Sequence, residues 1–198
     1  LGHFGITGSR TPLRLFITAD EENGATERLA EQGIQPDDFV IGINPGASYG
    51  SAKRWYPDRF AQAARQLAEK WSAKVVIFGG PGEAEIAADI ERCLEGKAVN
   101  VSGKTSVREM MALIKRCNFF ITNDSGPMHV AAAFAVPLVA IFGSTDHTGT
   151  SPYSSNSIIV RNDMKCAPCK LRECPTDHRC MTSVTAEAVI NAAEELIN

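Results

Sequence analysis

The chain has 198 residues, 44% hydrophobic and 22% charged, enough for one substantial domain with its own core. A formal charge of -3 offers no general attraction for nucleic acid, so no nucleic-acid partner is expected. No apolar stretch approaches the ~20 residues that cross a bilayer, and residues 1–20 lack the basic-then-apolar order of a signal peptide. A cytoplasmic location is therefore expected, with a peripheral membrane contact left open.

The chain opens on Leu1 rather than Met, which reads as a piece or a processed form of something longer. Residues 1–11 carry glycine and polar residues without a period, as a connection does. "PLRLFIT" then predicts a strand, and "ADEENGATERLAEQG" a helix stopped by Gly33. Residues 1–38 are assigned as an interdomain connection and the start of the domain, and residues 39–198 as the domain proper.

"FVIGIN" is a short apolar run suited to a buried strand, followed by the turn-rich loop "NPGASYGSAKRWY". Pro57 begins a helix at the position proline favours, and Phe60, Ala64, Leu67, Ala68 and Trp71 follow at helical spacing. The alternation continues with strand "AKVVIFGG", helix "EAEIAADIERCL" and short strand "AVNVSG". The helix "SVREMMALIKRC" opens with a capping box, Ser106 with Glu109. Strand "NFFITN", helix "GPMHVAAAFA", strands "PLVAIFGS" and "SIIVR", and a last amphipathic helix capped by Thr185 complete the chain. Continuous apolar strands alternating with helices predict a Rossmann-like α/β domain, a parallel sheet with helices on both faces.

In such sheets ligands bind at the carboxyl ends of strands, so the loops after Asn44, Gly79, Asn123 and Gly143 are the place to look. The stretch "NDSGPMH" sets Asp124 at a strand end and Ser125, Gly126, Pro127, Met128 and His129 at a helix start. Free N–H groups and the positive end of the helix dipole favour an anion there. Asp124 is placed to accept bonds from sugar hydroxyls; the plainer reading is that Asp124 or Ser125 only caps the helix. Gly46, Ala47, Ser48 and Lys53 line the loop after "FVIGIN", where a lysine suits a diphosphate, although most lysines are merely solvated. Trp55 and Tyr56 read as packing. Past "VVIFGG", Glu83 is a candidate acceptor for a ribose diol, with Glu85 as the fallback and a helix-dipole role as the plainer account.

No G-x-G-x-x-G or Walker pattern is present. His147 reads as a loop residue. Cys93 and Cys117, near helix ends, read as buried thiols. Cys166, Cys169, Cys174 and Cys180 crowd together in "CAPCKLRECPTDHRC". Four thiolates suit a structural zinc or an iron–sulfur cluster, with His178 a substitute ligand; reduced surface thiols are the alternative.

The stretches "INPGASYGSAKRWYPDRFAQ", "FGGPGEAE", "NVSGKTSVREMMALIKRCNFFITNDSGPMHVAAAFAVPLVAIFGSTD" and "MTSVTAEAVI" together resemble glycosyltransferase family 9, the ADP-heptose:lipopolysaccharide heptosyltransferases. The likeness runs from about Ile41 to the end and is nearest to the heptosyltransferase II type. It implies the C-terminal, donor-binding half of a GT-B enzyme acting on lipopolysaccharide at the inner face of the inner membrane. The acceptor domain and its base are not matched here. It further implies ADP-heptose as donor, Lys53 at the donor phosphate, Glu83 at the ribose, Asp124 at the heptose, and no metal for the transfer step. Two other classes remain in view: a nucleotide-binding module without transfer chemistry, and a zinc-dependent interaction module.

Overall fold

The computed structural model describes residues 2–8 and 11–197; residues 1, 9 and 10 of the expected connection, and residue 198, lie outside the described residues. Six strands form one sheet: β1 (Val40–Asn44), β2 (Lys74–Ile77), β3 (Ala98–Asn100), β4 (Phe119–Asn123), β5 (Leu138–Ile141) and β6 (Ser157–Val160). Their order is β3-β2-β1-β4-β5-β6 and every pairing is parallel. At the centre, Ile43 is in register with Ile77 on one side and Ile121 on the other.

Side chains alternate across a strand, so a strand buried on both faces must be apolar throughout. Ile41, Ile43, Val75, Ile77, Phe119, Ile121, Val139 and Ile141 face one way. They pack against α2 (Pro57–Trp71), α3 (Ala84–Cys93) and α8 (Ala186–Ile197). Val40, Val76, Phe78, Phe120, Leu138 and Ala140 face the other way. Those meet α1 (Ala19–Ala30), α4 (Val107–Arg116) and α5 (Gly126–Ala133). The helices on both faces are those expected, and the Rossmann-like α/β fold is the one observed. The remaining helices are short: α6 (His147–Thr150) and α7 (Arg179–Thr182).

Local signals set the helix ends. Ser106 and Glu109 form the expected capping box at α4, and Thr185 Oγ1 accepts from the Ala188 N–H ahead of α8. A second capping box, Thr18 with Glu21, opens α1. Arg108 of α4, beside Glu21, and then the Thr18 N–H hold the Glu21 carboxyl down at about 2.

One expected element is absent. "PLRLFIT" is not a strand; it runs irregularly into Thr18. A strand needs a ladder partner, and this segment lies beside the start of β6 and the end of α5, with Phe16 77% exposed. Cys93 also departs from expectation: it is exposed, while Cys117 is buried and its thiol pushed up to about 12 by burial. Among the described residues no helix is long and apolar enough to cross a membrane.

Candidate functional site

β1 and β4 are the central neighbours from which the strand order runs outward in opposite directions. Their following loops diverge and open a crevice at their carboxyl ends. Asn44 and Asn123, each 1% exposed or less, end these strands. Asn123 Oδ1 accepts from the Trp55 N–H at 3.0 Å, and its Nδ2 donates to the Pro45 carbonyl at 2.7 Å. Asn44 Nδ2 donates to Ser125 Oγ at 3.1 Å and to the Gly46 carbonyl at 3.2 Å. The two amides tie the loop after β1 to the loop after β4.

That tie brings Lys53 to Asp124. Lys53 Nζ lies 2.7 Å from Asp124 Oδ2, with side chains 13% and 5% exposed. Thr145 Oγ1 donates to the same oxygen at 2.6 Å and Thr150 Oγ1 at 3.4 Å. The acid is thus held from two connections, the one after β1 and the one after β5. Among the described residues Asp124 Oδ1 has no side-chain hydrogen bond. Trp55 is packing, as expected: it is 1% exposed, stacks edge-on against Phe60 at 5.0 Å and donates through Nε1 to the Val184 carbonyl.

Neither Asp124 nor Ser125 caps α5. Ser125 is the N-cap residue but makes no side-chain cap bond. Its hydroxyl is engaged by Asn44, Thr122 and the Asn123 carbonyl instead. The first N–H groups of α5 therefore have no side-chain acceptor and point to the crevice edge, beside a lysine.

Next to this pair lies a cleft of about 280 Å³, lined by Gly46–Ser48, Glu83, Thr105–Val107, Met110 and Ser125–Pro127 among others. Glu83 is 9% exposed and its Oε2 accepts from the Gly80 N–H at 2.8 Å. Gly46 lies against this carboxylate: a Cβ there would sit 2.0 Å from Glu83 Cδ. Glu83, not the exposed fallback Glu85, therefore belongs to the cleft. Met128 is placed differently from its role as a site residue. It is 0% exposed and packs in the core, because it faces the sheet from the first turn of α5. His129 is exposed on that turn and does not line the cleft.

Sequence reasoning missed Thr145, Thr150 and the wall made by Thr105, Val107 and Met110. The position of Thr145, just past the carboxyl end of β5, was the available signal.

Zinc or an iron–sulfur cluster is one of two readings of the cysteine segment, reduced surface thiols the other. All six cysteines are free. Among the described residues no three His, Cys, Asp or Glu side chains are placed to hold one metal ion. His178 uses both ring nitrogens within the protein: Nε2 lies 2.9 Å from the Ala52 carbonyl and Nδ1 3.2 Å from the Tyr56 hydroxyl. A carbonyl only accepts, so Nε2 carries the proton and Nδ1 accepts from Tyr56. The thiols still differ. Bonds from Thr176 pull the Cys174 thiol down, while burial and then the charges of Cys166, Cys169 and Cys174 push Cys180 up.

A cation, a nearly buried acid and a helix start without a side-chain cap are gathered where the strand order of a Rossmann-like parallel sheet diverges, the place where such sheets take their ligands. The chain belongs to glycosyltransferase family 9 (heptosyltransferase), whose model matches residues 15–179. It is 42% identical to lipooligosaccharide heptosyltransferase 2 of Campylobacter jejuni over 164 residues, 80% of this chain and 51% of that protein. Among solved structures, a family 9 glycosyl transferase from Veillonella parvula superposes with a TM-score of 0.87 at 31% identity, covering 98% of this chain and 56% of that one. The ADP-heptose lipopolysaccharide heptosyltransferase II of Escherichia coli superposes at 0.77 and 28% identity, covering 92% and 53%. The chain spans about half the length of the curated relatives it matches.

Proposed function

We propose that this chain is the donor-binding half of a heptosyltransferase. It holds ADP-heptose at the β1–β4 crevice while an acceptor domain outside this chain presents a sugar of the lipopolysaccharide inner core. The observation that carries this is the Lys53–Asp124 pair at 2.7 Å beside the uncapped start of α5. The names of the relatives support the choice of donor and acceptor.

In this reading the N–H groups of α5 and the Lys53 ammonium receive the diphosphate. Glu83 accepts from the ribose hydroxyls across the cleft, and Asp124 Oδ1 accepts from a heptose hydroxyl. When the bond between heptose and the β-phosphate breaks, negative charge grows on the departing ADP. Fixed donors already aimed there stabilise that charge without reorganising. The acceptor hydroxyl loses its proton to a base that this chain does not supply. A structural metal at the cysteines is a separate proposal, carried by their number and spacing alone; elemental analysis of the purified protein tests it.

Calorimetric titration of the full-length protein tests the donor assignment. ADP-heptose should bind at least ~10-fold tighter than UDP-glucose, a difference of about 1.4 kcal/mol. ADP should bind more weakly than ADP-heptose. Equal affinity for ADP and ADP-heptose would point instead to a nucleotide-binding module that ignores the sugar.

A further inference from the structure

The segment that carries the cysteines lies directly on the Lys53 loop. The Ala52 N–H donates to the Arg172 carbonyl at 2.9 Å, and the Tyr49 hydroxyl donates to the Lys170 carbonyl at 2.9 Å. The Lys170 N–H in turn donates to the Ser144 carbonyl at 2.8 Å, anchoring the segment to the end of β5. Gly50 makes the approach close: a Cβ there would sit 2.2 Å from the Arg172 carbonyl oxygen. Its backbone is extended, a conformation open to any residue, so contact rather than conformation calls for glycine here.

The Tyr49 ring is held by these contacts and carries two cations. Lys53 Nζ lies 5.1 Å from its centroid and the Arg172 guanidinium carbon 5.3 Å. Both distances are within the range of attraction between a cation and an aromatic face. Tyr49 is 43% exposed and belongs to neither core cluster, so packing does not account for it.

A lysine has a long flexible stem and loses much rotamer freedom when fixed. Asp124 alone would fix it, but as a counter-charge that competes with an incoming phosphate. An aromatic face holds the ammonium without neutralising it. We propose that Tyr49 is a positioning residue for Lys53, and that the Lys170–Arg172 segment is the brace that orients Tyr49. This rests on the reading of Lys53 as a ligand of the donor diphosphate.

The test uses the full-length enzyme and ADP affinity, with thermal midpoints as the folding control. Tyr49→Leu should weaken ADP binding about 3- to 10-fold, the range of a partly exposed cation–aromatic contact. Tyr49→Phe keeps the ring but loses its bond to the Lys170 carbonyl, so it should recover part of that loss, which a purely structural hydroxyl would not allow. Gly50→Ala, which displaces the Arg172 carbonyl without touching either side chain, should weaken binding in the same direction. In a Lys53→Ala background, Tyr49→Leu should have no further effect. An equal effect of Tyr49→Leu with and without Lys53 would overturn the proposal, as would no effect of Tyr49→Leu where Lys53→Ala weakens binding. ADP binding unchanged by Lys53→Ala would remove the reading of Lys53 itself and this one with it.

Discussion

Replacing Lys53 with alanine should weaken ADP binding by about 10- to 100-fold. The figure follows from a charge-assisted hydrogen bond, worth ~1.5–3 kcal/mol, removed from a site with little water access. Lys53 is 13% exposed at the side chain and already lies 2.7 Å from Asp124, so its charge is fixed before the ligand arrives. The transfer rate should fall as well, because the same ammonium faces the charge that grows on leaving ADP. Lys53→Arg should not restore either property. A planar fork cannot occupy the place of a compact ammonium between Asp124 and the Tyr49 ring. Lys53→Ala also strips the nearly buried Asp124 of its cation, although Thr145 and Thr150 still donate to it, so a drop in thermal midpoint should accompany the change. Competitive titration with ADP at two salt concentrations checks the account. The difference between wild type and variant should shrink as salt rises. An unchanged affinity would contradict it.

Asn123→Leu should destabilise the domain by ~2–6 kcal/mol. Asn123 is fully buried, and its amide serves the Trp55 N–H and the Pro45 carbonyl. Leucine fills a similar volume but leaves both groups unpaired, at ~1–3 kcal/mol each. That is a large fraction of the ~5–15 kcal/mol that holds a typical domain folded. Urea unfolding should show a lower midpoint with an unchanged slope. Asn123→Asp should be damaging too, since an ionised carboxylate keeps an acceptor for Trp55 but faces the Pro45 carbonyl without a donor. A loss below ~1 kcal/mol for the leucine variant would mean that water or a backbone shift replaces both bonds.

Much of the architecture was legible because the sheet is buried on both faces. "FVIGIN", "KVVI", "FFITN" and "PLVAI" each carry a mainly apolar run with polar residues only at its ends, and each is a strand in the sheet's inner part. "PLRLFIT" has a similar composition and is not a strand. Pairing depends on a free ladder edge at the right place, which no local pattern records. Cys93 follows buried Ile90 by three residues yet is exposed, because Leu94, the next residue, takes the core position instead.

The site was legible in part for the same reason. Strand ends and helix starts are visible in sequence, so Lys53, Glu83, Asp124 and Gly126 stood out. Thr145, Thr150 and Tyr49 did not, since loop residues that reach across to another loop carry no periodic signature. The Met128 side chain turns to the core, because a helix start offers its backbone to a ligand while every third or fourth side chain faces the sheet. The cysteine spacing drew attention to the thiols of that segment and gave no sign of its backbone bonds to the Lys53 loop.

The most direct test of the central claim is a crystal structure of the full-length protein with ADP bound. The diphosphate should lie against the first turn of α5 within hydrogen-bonding distance of Lys53, with the ribose hydroxyls at Glu83. ADP bound elsewhere, for instance in the cavity between α1 and α4 beside Arg28 and Arg108, would contradict the assignment of the β1–β4 crevice as the donor site.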